Sequence, residues 1–121
     1  MPHRILIVED HDGLRRRVRS DLEAAGFEVC GEAINGLDAI EKAKLLLPDL
    51  VITDIWMPVM NGLDAIPEII KSTPRVKIIV FSVDDVDELR REALLRGAHS
   101  YVGKSRPENL FKEVTRLLGG Q

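Results

Sequence analysis

Five short apolar runs alternate along the chain with segments of helical periodicity, and this alternation limits the possible folds more than any other feature of the sequence. The runs at 4–10, 49–54 and 76–82 are nearly continuous, which is typical of strands covered on both faces of a sheet. Two further strands are predicted at 27–33 and 98–102. Strands that alternate with helices predict a parallel sheet, because right-handed crossovers place the helices on both of its faces.

The second strand has the pattern of a sheet edge. Phe27, Val29 and Ala33 alternate with Glu28 and Glu32, which is the period of a strand with one exposed face. Of the two common orders of doubly wound sheets, 2-1-3-4-5 places the second strand at an edge. We therefore predict an α/β fold with a doubly wound, five-stranded parallel sheet of order 2-1-3-4-5.

The first two helices have recognisable ends. The first is predicted over 13–25, with Asp12 as its N-cap. The second is predicted over 36–46, with Asn35 as its N-cap and Pro48 just beyond its end. Both helices therefore fit the connections between consecutive strands.

The other three helices are bounded by proline, glycine and acidic residues. The third is expected to begin near Asp64, which would place Pro67 in the first turn, where an amide hydrogen has no helical partner. The fourth is predicted over 86–96 and has two N-cap candidates, Asp84 and Asp85. Residues 105–108 have the spacing of a capping box at the start of the last helix.

The composition excludes several classes of protein. A chain of 121 residues, 45% of them hydrophobic, fits one domain over 1–121. With 17 basic and 20 acidic residues, the charge favours neither nucleic acid nor membrane, and Arg15, Arg16, Arg17 and Arg19 are interpreted as a solvated helix face. No apolar run approaches the roughly 20 residues of a membrane span. A single cysteine and the lack of a signal segment predict a cytoplasmic protein.

Polar residues follow the predicted central strands. Glu9 and Asp10 end the first strand, Asp54 the third and Ser82 the fourth, and Lys104 follows the fifth. Ligands of doubly wound sheets bind at these carboxyl ends, near the point where the strand order reverses. Carboxylates about 5 Å apart at an effective dielectric of about 20 repel by about 3 kcal/mol per pair. The oxygen-only set therefore predicts a divalent cation, Mg²⁺ or Mn²⁺.

Four segments together resemble the receiver domain of response regulators. They are Ile5-Leu6-Ile7-Val8-Glu9-Asp10, the run from Asp49 to Gly62 containing Asp-x-x-Met-Pro-x-x-Asn-Gly, Ser82, and Tyr101-Val102-Gly103-Lys104. The resemblance covers essentially the whole chain and is greatest to receivers that precede helix-turn-helix DNA-binding domains. It implies a flavodoxin-like (βα)₅ fold. Asn61 and Gly62 are interpreted as turn residues.

The resemblance also implies a reaction. Asp54 would accept a phosphoryl group from the phosphohistidine of a sensor histidine kinase or a phosphotransfer protein. Glu9, Asp10, Asp54 and the backbone carbonyl of Trp56 would hold Mg²⁺, and Lys104 would bind a phosphoryl oxygen. The chain would then be no enzyme apart from phosphotransfer to itself and slow autodephosphorylation.

The resemblance further implies a switch. Ser82 would bind a second phosphoryl oxygen, and Tyr101 would turn inward with it. This movement would alter the face formed by the fourth helix, fifth strand and fifth helix, and so control an output such as transcription. Homodimerisation on phosphorylation is a possible response, and DNA would be reached only through a separate effector domain.

Three other interpretations remain open at this point. An aspartate-nucleophile phosphohydrolase needs a second acid two residues after the nucleophile, where this chain has Trp56. A flavodoxin-like FMN binder needs a phosphate-binding loop after the first strand, where this chain has acidic residues. The third interpretation is a receiver-shaped interaction module that is never phosphorylated.

Overall fold

The computed structural model describes residues 3–119, which form five strands and five helices in strict alternation. The elements are β1 (Arg4–Val8), α1 (Asp12–Ala24), β2 (Glu28–Ala33), α2 (Gly36–Leu46), β3 (Leu50–Thr53), α3 (Gly62–Ser72), β4 (Lys77–Ser82), α4 (Asp87–Leu95), β5 (Ser100–Gly103) and α5 (Glu108–Leu118). The strands form one parallel sheet of order β2-β1-β3-β4-β5, which confirms the predicted fold. Within 3–119, no helix has the length and apolar character needed to cross a membrane.

The sheet separates two apolar cores, one on each face. Leu6 and Val8 of β1 pack into the core covered by α2, α3 and α4. Ile5 and Ile7 of the same strand pack into the core covered by α1 and α5. Because consecutive side chains of a central strand enter opposite cores, both kinds of position must be apolar, which explains the continuous apolar runs.

The edge strand β2 departs from the predicted alternation. Val29 packs with the α1 and α5 core, whereas Ala33 packs on the opposite face. The register with β1 passes from Ile5–Val29 to Leu6–Gly31, so Cys30 is the extra residue of a β-bulge. An extra residue reverses the faces of the positions after it, and the period of two is broken there.

The N-cap predicted for α2 is confirmed, whereas the N-cap predicted for α1 is wrong. Asn35 is the N-cap of α2, and its Oδ1 accepts a hydrogen bond from the Asp38 amide at 2.8 Å, as predicted. Asp12 is wrong as the N-cap of α1, because it is the first helical residue. His11 takes that place, and its Nδ1 accepts from the Leu14 amide at 3.1 Å. The imidazole nitrogen thus accepts the hydrogen bond that a side-chain oxygen accepts at most N-caps.

The third helix begins earlier than predicted. Asn61 is its N-cap, with Oδ1 accepting from the Asp64 amide at 2.9 Å, and the helix starts at Gly62. Pro67 therefore lies in the second turn, not the first. A proline there provides no amide hydrogen for the carbonyl four residues before it, so packing of the helix must compensate for one lost bond.

The predicted caps of the last two helices are also wrong. Val86 precedes α4 and makes no side-chain capping bond, and neither Asp84 nor Asp85 serves as the cap. Pro107 precedes α5 in a helical conformation, without the predicted capping box at 105–108. Asp84 instead binds the side chain of Trp56 from the loop after β3, and Asp85 binds the side chain of Arg90 in α4 itself.

Candidate functional site

Three carboxylates meet where β1 and β3 end. Glu9 and Asp10 follow β1, Asp54 follows the neighbouring β3, and one carboxylate oxygen of each lies within 4.8 Å of the other two. Glu9 and Asp54 are buried, with exposed fractions of 5% and 7%, and Asp10 is exposed. The structure thus brings these predicted site residues together, as the carboxyl ends of adjacent parallel strands require.

Lys104 reaches this cluster from the end of β5. Its Nζ donates to Glu9 Oε1 at 2.7 Å and to Asp54 Oδ2 at 2.9 Å. Its backbone amide donates to the Ser82 carbonyl at 2.8 Å, which holds the start of the loop against β4. One ammonium group therefore bonds to two of the three carboxylates, and the cluster keeps an excess of negative charge.

The environment raises the pKa values of both Glu9 and Lys104. Burial raises the pKa of Glu9 and the charge of Asp54 adds to the rise, while the hydrogen bond from Lys104 opposes it. Burial works against the Lys104 ammonium, but its bonds to Glu9 and Asp54 outweigh burial and raise the pKa of Lys104. The lysine therefore stays charged, while the ionised form of Glu9 is disfavoured unless another cation arrives.

This raised pKa predicts how stability depends on pH. In EDTA, Glu9 binds a proton more readily in the folded chain, so the contribution of Glu9 to the free energy of unfolding should fall as pH rises from 4.5, its ordinary pKa, towards neutrality. Glu9→Gln should flatten this fall and stabilise the metal-free protein at neutral pH. Urea unfolding at several pH values measures both effects, with exposed Glu41→Gln as the control. A parent protein whose stability relative to Glu9→Gln does not fall over that interval would contradict the argument.

Asp54 is held at both of its carboxylate oxygens. Oδ1 accepts from the Ile55 amide at 2.7 Å, while Oδ2 accepts from Lys104. The Thr53 hydroxyl donates to the Asp54 carbonyl at 2.9 Å. The side chain is therefore oriented before any ligand binds, which is what a reacting carboxylate requires.

Gly62 allows α3 to begin directly against this residue. A Cβ at Gly62 would lie 1.9 Å from the Asp54 carbonyl oxygen, far inside contact distance. The Gly62 amide donates to the Ile55 carbonyl at 2.9 Å, which fixes that approach. The sequence predicts a turn residue at Gly62, but its function is close approach to the Asp54 carbonyl, and only the folded chain shows which backbone it meets.

The loop between β3 and α3 contains a strained turn. Val59 has φ of 71°, and the Met60 amide donates to the Pro58 carbonyl at 2.8 Å across it. This bond pattern is a γ-turn, and a positive φ is unfavourable for a β-branched residue. Val59 is also 78% exposed, so little packing offsets the strain.

Val59→Gly is expected to stabilise the protein by about 1 kcal/mol, because glycine removes the clash between Cβ and the backbone. Urea unfolding measures the change. Val83→Gly is the matched control, since Val83 is an exposed valine in the next loop along the sheet and does not have a positive φ. The control should be destabilised or unchanged; equal effects of both substitutions would rule out relief of strain.

The two predicted switch residues are joined through Asp84. Ser82 is fully buried at the end of β4, and its Oγ accepts from the Asp84 amide at 3.2 Å. Tyr101 is 5% exposed and its hydroxyl donates to the Asp84 carbonyl. Trp56 Nε1 donates to the Asp84 carboxylate at 2.6 Å. Ser82 and Tyr101 thus share Asp84 as a hydrogen-bond partner, a residue predicted only as an N-cap candidate for α4.

Tyr101 is already turned inward in this structure. The Arg90 guanidinium lies 5.0 Å from the centre of its ring and donates to its carbonyl at 2.9 Å. Burial raises the pKa of Tyr101, so the phenol keeps the proton that it donates to Asp84. The inward position therefore rests on contacts within the protein.

The cluster fits a hard divalent cation. Its donors are carboxylate oxygens, which Mg²⁺ and Mn²⁺ prefer, and Lys104 balances only part of their charge. The burial of Glu9 and Asp54 makes the uncompensated charge costly. A divalent ion at this point would remove that cost.

Comparison with known proteins agrees with this geometry. Residues 5–115 match the family described as the response regulator receiver domain. The chemotaxis protein CheY of Thermotoga maritima is 46% identical over 118 residues, which are 97% of this chain and 98% of that protein. The nitrate/nitrite response regulator NarL of Escherichia coli K12 is 38% identical over 122 residues, which cover 99% of this chain and 56% of NarL.

Among solved structures, a two-component response regulator of the LuxR family from Aurantimonas sp. SI85-9A1 superimposes with a TM-score of 0.91 at 27% identity, covering 100% of this chain and 89% of that one. The match of the family, the strand order and the acidic cluster agree with one another. The chain therefore belongs to the response regulator receiver domain family of two-component systems.

Proposed function

We propose that this receiver domain accepts a phosphoryl group on Asp54 from the phosphohistidine of a sensor histidine kinase or a phosphotransfer protein. The observation that carries the proposal is the buried Asp54 carboxylate, which lies beside two further acids and is bonded by Lys104 at 2.9 Å. In the reaction, an Asp54 oxygen bonds to phosphorus while the phosphorus–nitrogen bond of the donor breaks. The products are an acyl phosphate on Asp54 and a free histidine on the donor.

The acidic residues provide the metal site of this proposal. The carboxylates of Glu9, Asp10 and Asp54 and the backbone carbonyl of Trp56 would hold Mg²⁺, and Mn²⁺ has the same preference for oxygen. When bound, the ion supplies positive charge that stabilises the phosphoryl oxygens during transfer. Glu9 thereby loses the penalty of being ionised in a buried place.

Lys104 would bind the transferred group directly. Its ammonium already contacts Asp54 Oδ2, so a phosphoryl group on Asp54 would lie within its reach. Its raised pKa keeps it protonated at neutral pH. Each hydrogen bond to a charged group contributes about 1.5–3 kcal/mol.

Ser82 and Tyr101 would transmit the change. The Ser82 oxygen accepts from Asp84, and its hydroxyl hydrogen would turn to a phosphoryl oxygen once one is present. A movement of Ser82 would act on the Asp84 peptide and thus on the Tyr101 hydroxyl. The face of α4, β5 and α5 would then change its contacts with a partner or a second copy, and DNA would be reached through a separate effector domain.

Ser82→Ala is expected to leave labelling of Asp54 intact while reducing the response at Tyr101 severalfold. The reason is that alanine cannot bond to the phosphoryl group or to Asp84. Tyr101 NMR signals with and without beryllofluoride and Mg²⁺ measure the response, with labelling followed by intact mass. An unchanged spectral response would remove Ser82 from the mechanism.

The rival functions fit the site less well. The position of the second acid in an aspartate-nucleophile phosphohydrolase is Trp56, whose indole N–H donates to Asp84. A signalling module with self-phosphotransfer and slow autodephosphorylation accounts for the residues present. An interaction module that is never phosphorylated would not need a lysine bonded to both Glu9 and Asp54.

The proposed function is tested by labelling the protein with acetyl phosphate. Trp56 is the only tryptophan of the chain and follows Asp54 by two positions, so its fluorescence should change as Mg²⁺ is added. Acetyl phosphate should then add one phosphoryl group, labile in alkali, and EDTA should prevent the addition. Purified protein that gains no phosphoryl group from acetyl phosphate or from a phosphorylated histidine kinase domain in saturating Mg²⁺ would refute the proposal.

A further inference from the structure

Arg15 of α1 is bound more tightly than a surface arginine. Its side chain is 13% exposed, which contradicts its interpretation as part of a solvated helix face. Three of its nitrogens donate to three different acceptors: Nη1 to the Glu9 carbonyl at 2.8 Å, Nη2 to Asp12 Oδ1 at 2.7 Å, and Nε to Glu32 Oε1 at 2.6 Å. A planar guanidinium with three such bonds has a fixed position and orientation.

Glu32, the acceptor of the Arg15 Nε bond, is itself held in β2 by two further bonds. Glu32 Oε2 accepts from Arg19 Nη1 at 2.6 Å, and the Glu32 carbonyl accepts from Lys42. The bond from Arg19 lowers the pKa of Glu32, partial burial opposes it, and the bond from Arg15 adds to the lowering. Glu32 is therefore an ionised anchor on the strand next to β1.

On the side of the acidic cluster, Arg15 bonds to the peptide group between Glu9 and Asp10. The Glu9 amide donates to the Ala33 carbonyl at 2.9 Å, and its carbonyl accepts from Arg15. The carbonyl of Glu9 and the amide of Asp10 lie in one rigid plane. Holding that carbonyl therefore sets the direction in which the chain leaves β1 and from which the exposed Asp10 side chain projects.

We propose that Arg15, anchored by Glu32, is a positioning residue that holds the Glu9–Asp10 peptide in the conformation needed for Mg²⁺ binding. This inference rests on the proposed metal site. None of the bonds of Arg15 goes to a carboxylate of the cluster; Arg15 acts through the backbone that carries two of these three carboxylates. Partners that orient metal ligands in this way change metal affinity by about 10- to 100-fold when they are removed.

The direction of the change in Mg²⁺ affinity distinguishes a positioning role of Arg15 from a purely electrostatic one. A positive group near a cation site weakens cation binding, so removal of the Arg15 charge alone would tighten Mg²⁺ binding. Loss of the bond that holds the Glu9 carbonyl would instead weaken Mg²⁺ binding. Arg15→Lys keeps the charge but cannot make three bonds in one plane, so a charge effect leaves this variant unchanged while positioning does not.

The test compares Mg²⁺ binding to the parent, Arg15→Lys and Arg15→Gln, followed by Trp56 fluorescence. Both variants are expected to bind about tenfold more weakly. At saturating Mg²⁺, the rate of labelling by acetyl phosphate should return to the parent value, because the reacting groups are intact. Arg17→Gln is the matched control, since Arg17 is exposed on the same helix, and it should bind Mg²⁺ like the parent.

A second measurement needs no metal. Amide hydrogen exchange in EDTA should be faster at Asp10 and His11 in Arg15→Lys than in the parent, and unchanged in Arg17→Gln. Parent-like affinity and exchange in both Arg15 variants, or tighter Mg²⁺ binding by Arg15→Gln with Arg15→Lys unchanged, would overturn the inference while leaving the proposed function in place. A parent protein that does not bind Mg²⁺ would overturn the metal site itself, and the inference with it.

Discussion

Asp54→Asn is expected to abolish labelling by acetyl phosphate, with a fall of at least about 1,000-fold. An amide oxygen is a far weaker nucleophile than a carboxylate and forms no stable acyl phosphate. The substitution also removes one of the three negative charges of the cluster, so Mg²⁺ binding should weaken as well. Intact mass after incubation with Mg²⁺ and donor measures the first effect, and Trp56 fluorescence measures the second.

The variant should remain folded, since Lys104 keeps its 2.7 Å bond to Glu9. Asp49→Asn is the matched control because Asp49 lies just before the other end of β3, where its carboxylate accepts from the Arg4 amide at 2.8 Å. The control should be labelled like the parent. Normal labelling of Asp54→Asn would assign the acceptor to another residue and refute the proposed reaction.

Gly62→Ala is expected to lower the free energy of unfolding by about 3 kcal/mol, the upper part of the range for overpacking. The added Cβ would lie 1.9 Å from the Asp54 carbonyl oxygen and 3.0 Å from both the Asp54 carbonyl carbon and Thr53 Oγ1. Two of these atoms are backbone, so no side-chain rotation relieves the clash. Either α3 or the end of β3 must shift, and urea unfolding measures the loss.

The same shift should reduce labelling of the fraction that stays folded, because Asp54 would no longer be held against Ile55 and Lys104. Gly13→Ala is the control for replacing a helical glycine. Its Cβ would lie 3.3 Å from a His11 side-chain atom that can move, and alanine has the higher helix propensity, so the change should stay within about 1 kcal/mol. Equal effects at both glycines would contradict the argument from close approach.

The sheet and the cluster of acids were predictable because their signals are local. β1, β3 and β4 are apolar runs of the right length, and the topology rules for parallel sheets bring their carboxyl ends to one edge. Glu9, Asp10 and Asp54 therefore had to converge once those strands were recognised. The Asn35 cap and the bounds of α2 follow from the same kind of local pattern.

Two of the errors in local structure have tertiary causes. Asp84 and Asp85 have the chemistry of N-caps, but Asp84 is bound by Trp56 from the loop after β3, and Asp85 by Arg90 of α4 itself. The bulge at Cys30 reverses the faces of β2. The Asp84–Trp56 bond and the bulge depend on partners distant in sequence, which no local pattern encodes.

The sequence alone determined the order of the five strands and the identity of the acidic residues at their ends, because hydrophobic period and strand topology depend only on the spacing of residue types. Tertiary structure alone decided that Gly62 must lack a Cβ, that Asp84 joins Ser82 to Tyr101, and that Arg15 binds the Glu9 carbonyl. These facts are distances of a few ångströms between atoms on different elements. Such distances exist only after helices and strands have packed, and so they could not be obtained from the pattern of the chain.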